Sequence, residues 1–133
     1  MANILIVDDD PLVTETLRSL AEAEGGRVVG QAEDLASARE IVDRNKVDIA
    51  LVDIQLARFN SGLSVAAELS SLGIRCIFVT GTVPPFPMPE FALGCISKPC
   101  TVDAMKAALE AANRWPSSTE EPREREICGF EAY

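Results

Sequence analysis

Five short runs, Asn3–Val7, Arg27–Ala32, Val47–Val52, Ile74–Val79 and Cys95–Ser97, take turns with segments of helical periodicity, and this alternation constrains the fold more than any other feature of the chain. The runs are too short for helices. Most are apolar without in-out alternation, as expected of strands buried on both faces. Between them, Leu12, Val13, Leu17, Leu20 and Ala21 recur at helical spacing, as do Leu35, Ala38, Ile41 and Val42, then Val65, Ala66, Leu69 and Leu72, and last Val102, Met105, Ala108, Leu109 and Ala112. Asp10 with Pro11, Asp34 and Thr101 are the expected N-caps, and Gly25, Gly26 and Gly73 the expected stops. Such alternation predicts an α/β, doubly wound, five-stranded parallel sheet joined by right-handed crossovers. The interval from Thr80 to Lys98 is the exception. It holds Pro84, Pro85, Pro87 and Pro89, which leave room only for a shortened or irregular fourth helix.

The 133 residues suit one domain, read as 1–115, followed by a tail at 116–133 with prolines, mixed charge and no apolar period. The tail is expected to be solvated, with Ile127, Phe130 and Tyr133 as the residues through which it could dock. A formal net charge of −9 sets the chain against nucleic acid and anionic lipid. No apolar run approaches a membrane span, and MANILIV is followed by three aspartates where a leader would have a cleavage site, so the chain reads as cytoplasmic. Four cysteines without a C-x-x-C pair, and no histidine, argue against a zinc site and rule out a Cys–His pair; Cys76 and Cys95 read as small buried hydrophobes.

In a doubly wound sheet, ligands gather beyond the carboxyl ends of the strands. The residues there are Asp8, Asp9, Asp53, Thr80 and Lys98. In the strand order 2-1-3-4-5, the first and third strands are neighbours and three carboxylates converge. Such a cluster repels itself unless a cation neutralises it, and hard oxygen donors suit Mg²⁺, with Mn²⁺ as a substitute. With the metal and Lys98 beside it, an ionised Asp53 could attack a phosphoryl group to give an aspartyl phosphate, and the Thr80 hydroxyl could bond to the arrived group. Asp10 is better explained as a cap than as a ligand.

Together, ILIVDDDP at the start, LVDIQL around Asp53, FVTG at Thr80 and SKP at Lys98 resemble the response-regulator receiver family of the CheY-like superfamily, over about residues 3–114. The resemblance implies a flavodoxin-like sheet and a phosphoryl group taken on Asp53 from a sensor histidine kinase or histidine phosphotransfer protein. It implies Mg²⁺ held by Asp9, Asp53 and the backbone carbonyl of Gln55, Asp8 acting through water, Lys98 touching the phosphoryl group, and a cis peptide before Pro99. Such a protein is no enzyme beyond its own Mg²⁺-dependent phosphorylation and dephosphorylation. With no output domain, it would signal through contacts with a downstream protein the sequence does not name. The segment DIQLARFNSGLSVAAEL is similar to receivers of bacterial general-stress regulators, and FVTG to single-domain relatives with Phe-Ala-Thr-Gly.

Two departures stand out. Cys95 occupies the position, three before the lysine, where receivers usually carry a Tyr or Phe, and the proline-rich interval is shorter than the family norm. Both predict a remodelled output surface, with Phe86 or Phe91 covering the gap at Cys95. The alternative function is a pseudo-receiver that binds its partner irrespective of phosphorylation. A phosphatase using Asp8 and Asp10 is a third reading, for which the chain lacks a cap.

Overall fold

A computed structural model describes residues 2–54, 62–81, 89–114, 126–127 and 129–133. Its elements run β1 (Asn3–Val7), α1 (Pro11–Ala23), β2 (Arg27–Ala32), α2 (Leu35–Arg44), β3 (Ile49–Val52), α3 (Gly62–Ser71), β4 (Arg75–Thr80), β5 (Gly94–Ser97), α4 (Val102–Arg114), β6 (Glu126–Ile127) and β7 (Phe130–Ala132). The sheet order is β2-β1-β3-β4-β5-β7-β6. The first five strands are parallel, in the expected order, and β7 then pairs antiparallel with β5 and with β6.

The two antiparallel strands are an addition to the expected five-stranded parallel sheet, made by the segment expected to be solvated or to dock through Phe130 and Tyr133. Residues Phe130–Ala132 lie in the sheet, and Phe130 is only 3% exposed. Periodicity missed them because β7 is three residues long and follows a charged, proline-containing stretch. Its stability comes from a neighbouring strand, which a window of sequence does not contain. No helix among the described residues is long and apolar enough to cross a membrane.

The apolar runs are buried as their composition requires. Ile4 to Val7 and Ile49 to Val52 have no exposed surface, and each Ile, Leu or Val among them contributes roughly 1.5–3 kcal/mol by leaving water. The sheet divides the core in two. On one face, Ile4, Ile6, Leu51, Ile77 and Ile96 pack with α1 and α4; on the other, Leu5, Val7, Val52 and Phe78 pack with α2 and α3 residues such as Ala38 and Leu69. Cys76 and Cys95 are each 1% exposed in the second cluster, as small buried hydrophobes.

The helix ends carry the expected caps. Asp10 caps α1 by accepting the Leu12 N–H at 2.9 Å, and Asp34 forms a capping box with Ser37. Thr101 Oγ1 accepts the Ala104 N–H at 3.1 Å to open α4. Gly25, at φ 86°, follows the end of α1. Between β4 and β5 the described residues form no helix, only a turn at Pro89–Phe91; Pro84, Pro85, Phe86 and Pro87 lie outside them. Phe91 and Tyr133 both pack against the cluster that holds Cys95.

Candidate functional site

The parallel register brings the strand ends to one rim. Val7 pairs with Val52, and the Asp53 N–H donates to the Val7 carbonyl at 2.9 Å, so Asp8 and Asp53 emerge side by side. Asp8 is fixed by its own backbone: its Oδ1 accepts the Asp10 N–H at 2.9 Å while Asp10 caps α1. Asp9 follows at the mouth, and carboxylate oxygens of Asp8, Asp9 and Asp53 all lie within 4.8 Å of one another. Thr80 ends β4 opposite Ser97 and is 1% exposed.

Lys98 completes the group. Its N–H donates to the Thr80 carbonyl at 2.8 Å, and its Nζ lies 3.1 Å from Asp53 Oδ2 and 3.1 Å from Asp8 Oδ2. The Lys98–Pro99 peptide is cis. From the carboxyl end of β5 the basic side chain thus reaches past β4 to the ends of β3 and β1, bringing together all four charged residues singled out in the sequence.

The electrostatics show what the group is prepared for. Burial raises the Asp8 carboxyl above its usual range, and the Asp10 N–H bond and the nearby Lys98 ammonium only partly offset this. Burial lowers Lys98, but the hydrogen bond to Asp53 and the negative charges of Asp53 and Asp8 outweigh it, so its ammonium is held above the ordinary value of 10.5. Three carboxylates face this one ammonium, a formal excess of two negative charges. Asp8 Oδ2 is buried, with Lys98 close enough for an ion pair but no hydrogen bond of good geometry. A buried, under-satisfied oxygen within a compact all-oxygen donor set fits a hard divalent cation.

The response regulator receiver domain family matches residues 4–110. This chain belongs to that family. Its sequence is 33% identical over 109 residues to the phyllosphere-induced regulator PhyR of Methylorubrum extorquens, covering 77% of this chain and 41% of that protein. The receiver domain of PhyR from Erythrobacter litoralis superposes with a TM-score of 0.75 at 26% identity, covering 91% of this chain and 96% of that one. A Burkholderia pseudomallei response regulator, solved with a phosphorylated aspartic acid, a calcium ion and citrate, superposes at 0.71 with 28% identity, covering 85% and 70%. The receiver spans 56%, 60% and 41% of three curated relatives, about half their length.

Gln55, expected to offer a backbone carbonyl, lies outside the described residues. Gly62 is a contributor the sequence reading passed over as a loop residue. Its N–H donates to the Ile54 carbonyl at 2.8 Å, and a Cβ there would collide with the Asp53 carbonyl oxygen and approach Ile54 Cα to 2.5 Å. The glycine lets the start of α3 rest on the backbone that carries Asp53. Gly62→Ala is therefore expected to displace Asp53 and cost about 1–3 kcal/mol, the usual range for overpacking. Urea unfolding would show the loss, and unchanged stability together with unchanged Asp53 amide chemical shifts would refute it.

Proposed function

We propose that this receiver accepts a phosphoryl group on Asp53 from a histidine kinase or histidine phosphotransfer protein and signals through protein contacts. The observation that carries the reading is the Lys98 ammonium 3.1 Å from Asp53 Oδ2, within a set of three carboxylates at the carboxyl rim of the sheet. A carboxylate oxygen of Asp53 attacks phosphorus, the P–N bond to the donor imidazole breaks, and the imidazole leaves with its electron pair and takes up a proton. Lys98 balances charge on the phosphoryl oxygens, and Thr80, at the end of the adjacent β4, donates its hydroxyl to one of them.

Asp8, Asp9, Asp53 and the backbone carbonyl of Gln55 would hold Mg²⁺, or Mn²⁺ in its place. When bound, the cation supplies neutralisation of charge around the transferring group. The phosphorylated aspartic acid and calcium ion of the Burkholderia relative support this reading. The net charge of −9 favours a protein partner over nucleic acid, and the likeness to PhyR favours a stress-linked pathway in the cytoplasm.

Incubation with phosphoramidate and Mg²⁺, followed by intact-mass measurement, tests the proposal. One added phosphoryl group is expected, lost in Asp53→Ala and on chelation of the metal. No gain in the intact chain would overturn the acceptor reading and leave the phosphorylation-independent binding module.

A further inference from the structure

The outer side of β5 is occupied by the chain's own C-terminal strand. Gly94, Cys95 and Ile96 pair antiparallel with Ala132, Glu131 and Phe130. The Ser97 N–H donates to the Gly129 carbonyl at 2.9 Å, and the Tyr133 N–H to the Leu93 carbonyl at 2.8 Å. Side chains from this strand enter both halves of the core: Phe130 joins the cluster under α1 and α4, and Tyr133 packs against the opposite one. The Tyr133 ring stands edge-on to Phe78, with centroids 6.4 Å apart and planes at 63°.

The seat is shaped for this strand. A Cβ on Gly94 would lie 2.5 Å from the Glu131 carbonyl oxygen and 2.5 Å from Phe130 Cε1, so β5 has no side chain where the strand crosses it. The fit is nonetheless incomplete. The Tyr133 hydroxyl is buried beside the Cys95 thiol without a hydrogen bond of good geometry, and burial pushes that thiol up to about 11. An unsatisfied buried hydroxyl weakens the seated state.

Seat and acceptor site share a short stretch of backbone. Ser97, which fastens Gly129, precedes Lys98, and Phe78, on which Tyr133 rests, precedes Thr80 by two residues. Asp53 Oδ2 and Lys98 Nζ stand 3.1 Å apart, at hydrogen-bond spacing, with no room for a phosphorus atom and its oxygens between them. A phosphoryl group joined to Oδ2 would displace Lys98 from this contact, and the Ser97–Gly129 bond is the adjoining fastening.

We propose that the C-terminal strand is a movable cover on β5, that Tyr133 supplies the aromatic missing at Cys95, and that a phosphoryl group on Asp53 unseats the strand and opens the β5 edge to an extended segment of a partner protein. This rests on the acceptor reading above. The partner segment pairs antiparallel with β5 and carries two aromatic residues three apart, the spacing of Phe130 and Tyr133, so that one enters each half of the core.

Residue-resolved amide hydrogen exchange on the full chain with Mg²⁺, before and after phosphoramidate, tests the cover, with intact mass read on the same sample. Exchange at the Ser97 and Tyr133 amides is expected to rise at least tenfold on phosphorylation while β1 and β3 amides hold. A dye-labelled peptide copying residues 126–133 is expected to bind only the phosphorylated chain. Without phosphorylation, Tyr133→Ala is expected to open the same amides and Tyr133→Phe to keep them closed. Mass gain with unchanged exchange, or equal peptide binding before and after, overturns the proposal. Absence of mass gain overturns the acceptor reading and the trigger that rests on it, whereas equal exchange in the two Tyr133 variants overturns the seating of the strand by itself.

Discussion

Lys98→Met is expected to slow phosphorylation of Asp53 from a small donor by about 10²–10³-fold, the usual cost of removing one preorganised group that meets developing charge. The side chain keeps much of its apolar length, so packing of the stem changes little. What is lost is the ammonium that touches both Asp53 and Asp8 at 3.1 Å. Because Lys98 is held protonated above 10.5, its stabilising contribution is complete below that value and is lost only as pH rises through the higher folded-state value. The deficit should therefore be the same at every neutral pH. Rates from quenched intact-mass samples would show it, and a variant within a factor of three of the parent would remove Lys98 from the proposed chemistry.

The largest loss of stability is expected from Phe78→Ala, at about 3–5 kcal/mol. Phe78 is fully buried in the middle of β4, paired with Val52 on one side and Cys95 on the other, and it carries the ring of Tyr133. Truncation leaves a cavity in the cluster beneath α3 that strands fixed on both sides cannot close. A fall in melting temperature on the order of 10–20 °C should accompany it in a domain of this size. A loss below about 1 kcal/mol by urea unfolding would mean that the second half of the core is loosely packed and that Tyr133 has no firm platform.

Much of this was legible in the residues because the signals were local. Asp10-Pro11 and Asp34 mark helix starts through bonds they make within four residues, and Ile4–Val7 can be buried only between two layers. The strand-end residues could be read jointly because parallel strands deliver their carboxyl ends to the same rim. What escaped was non-local. The third strand begins at Ile49, two residues after the expected Val47, and Asp48 before it accepts the Asn3 N–H on its carboxylate at 2.9 Å. Gly62 looked like a turn residue because the backbone it presses on belongs to the far side of a loop. Phe130 and Tyr133 were recognised as apolar enough to dock, but only the glycine at position 94, itself unremarkable in sequence, reveals where.

The direction of β7 has a practical corollary. Running opposite to β5, it starts beside Ile96, near the acidic rim, and finishes at Tyr133 beyond Gly94, at the other end of the sheet. A fluorophore or surface tether attached after Tyr133 would consequently leave from the pole away from Asp53. The acceptor side would stay open to a large donor protein during immobilised binding measurements, whereas a label at the start of the same strand would crowd it.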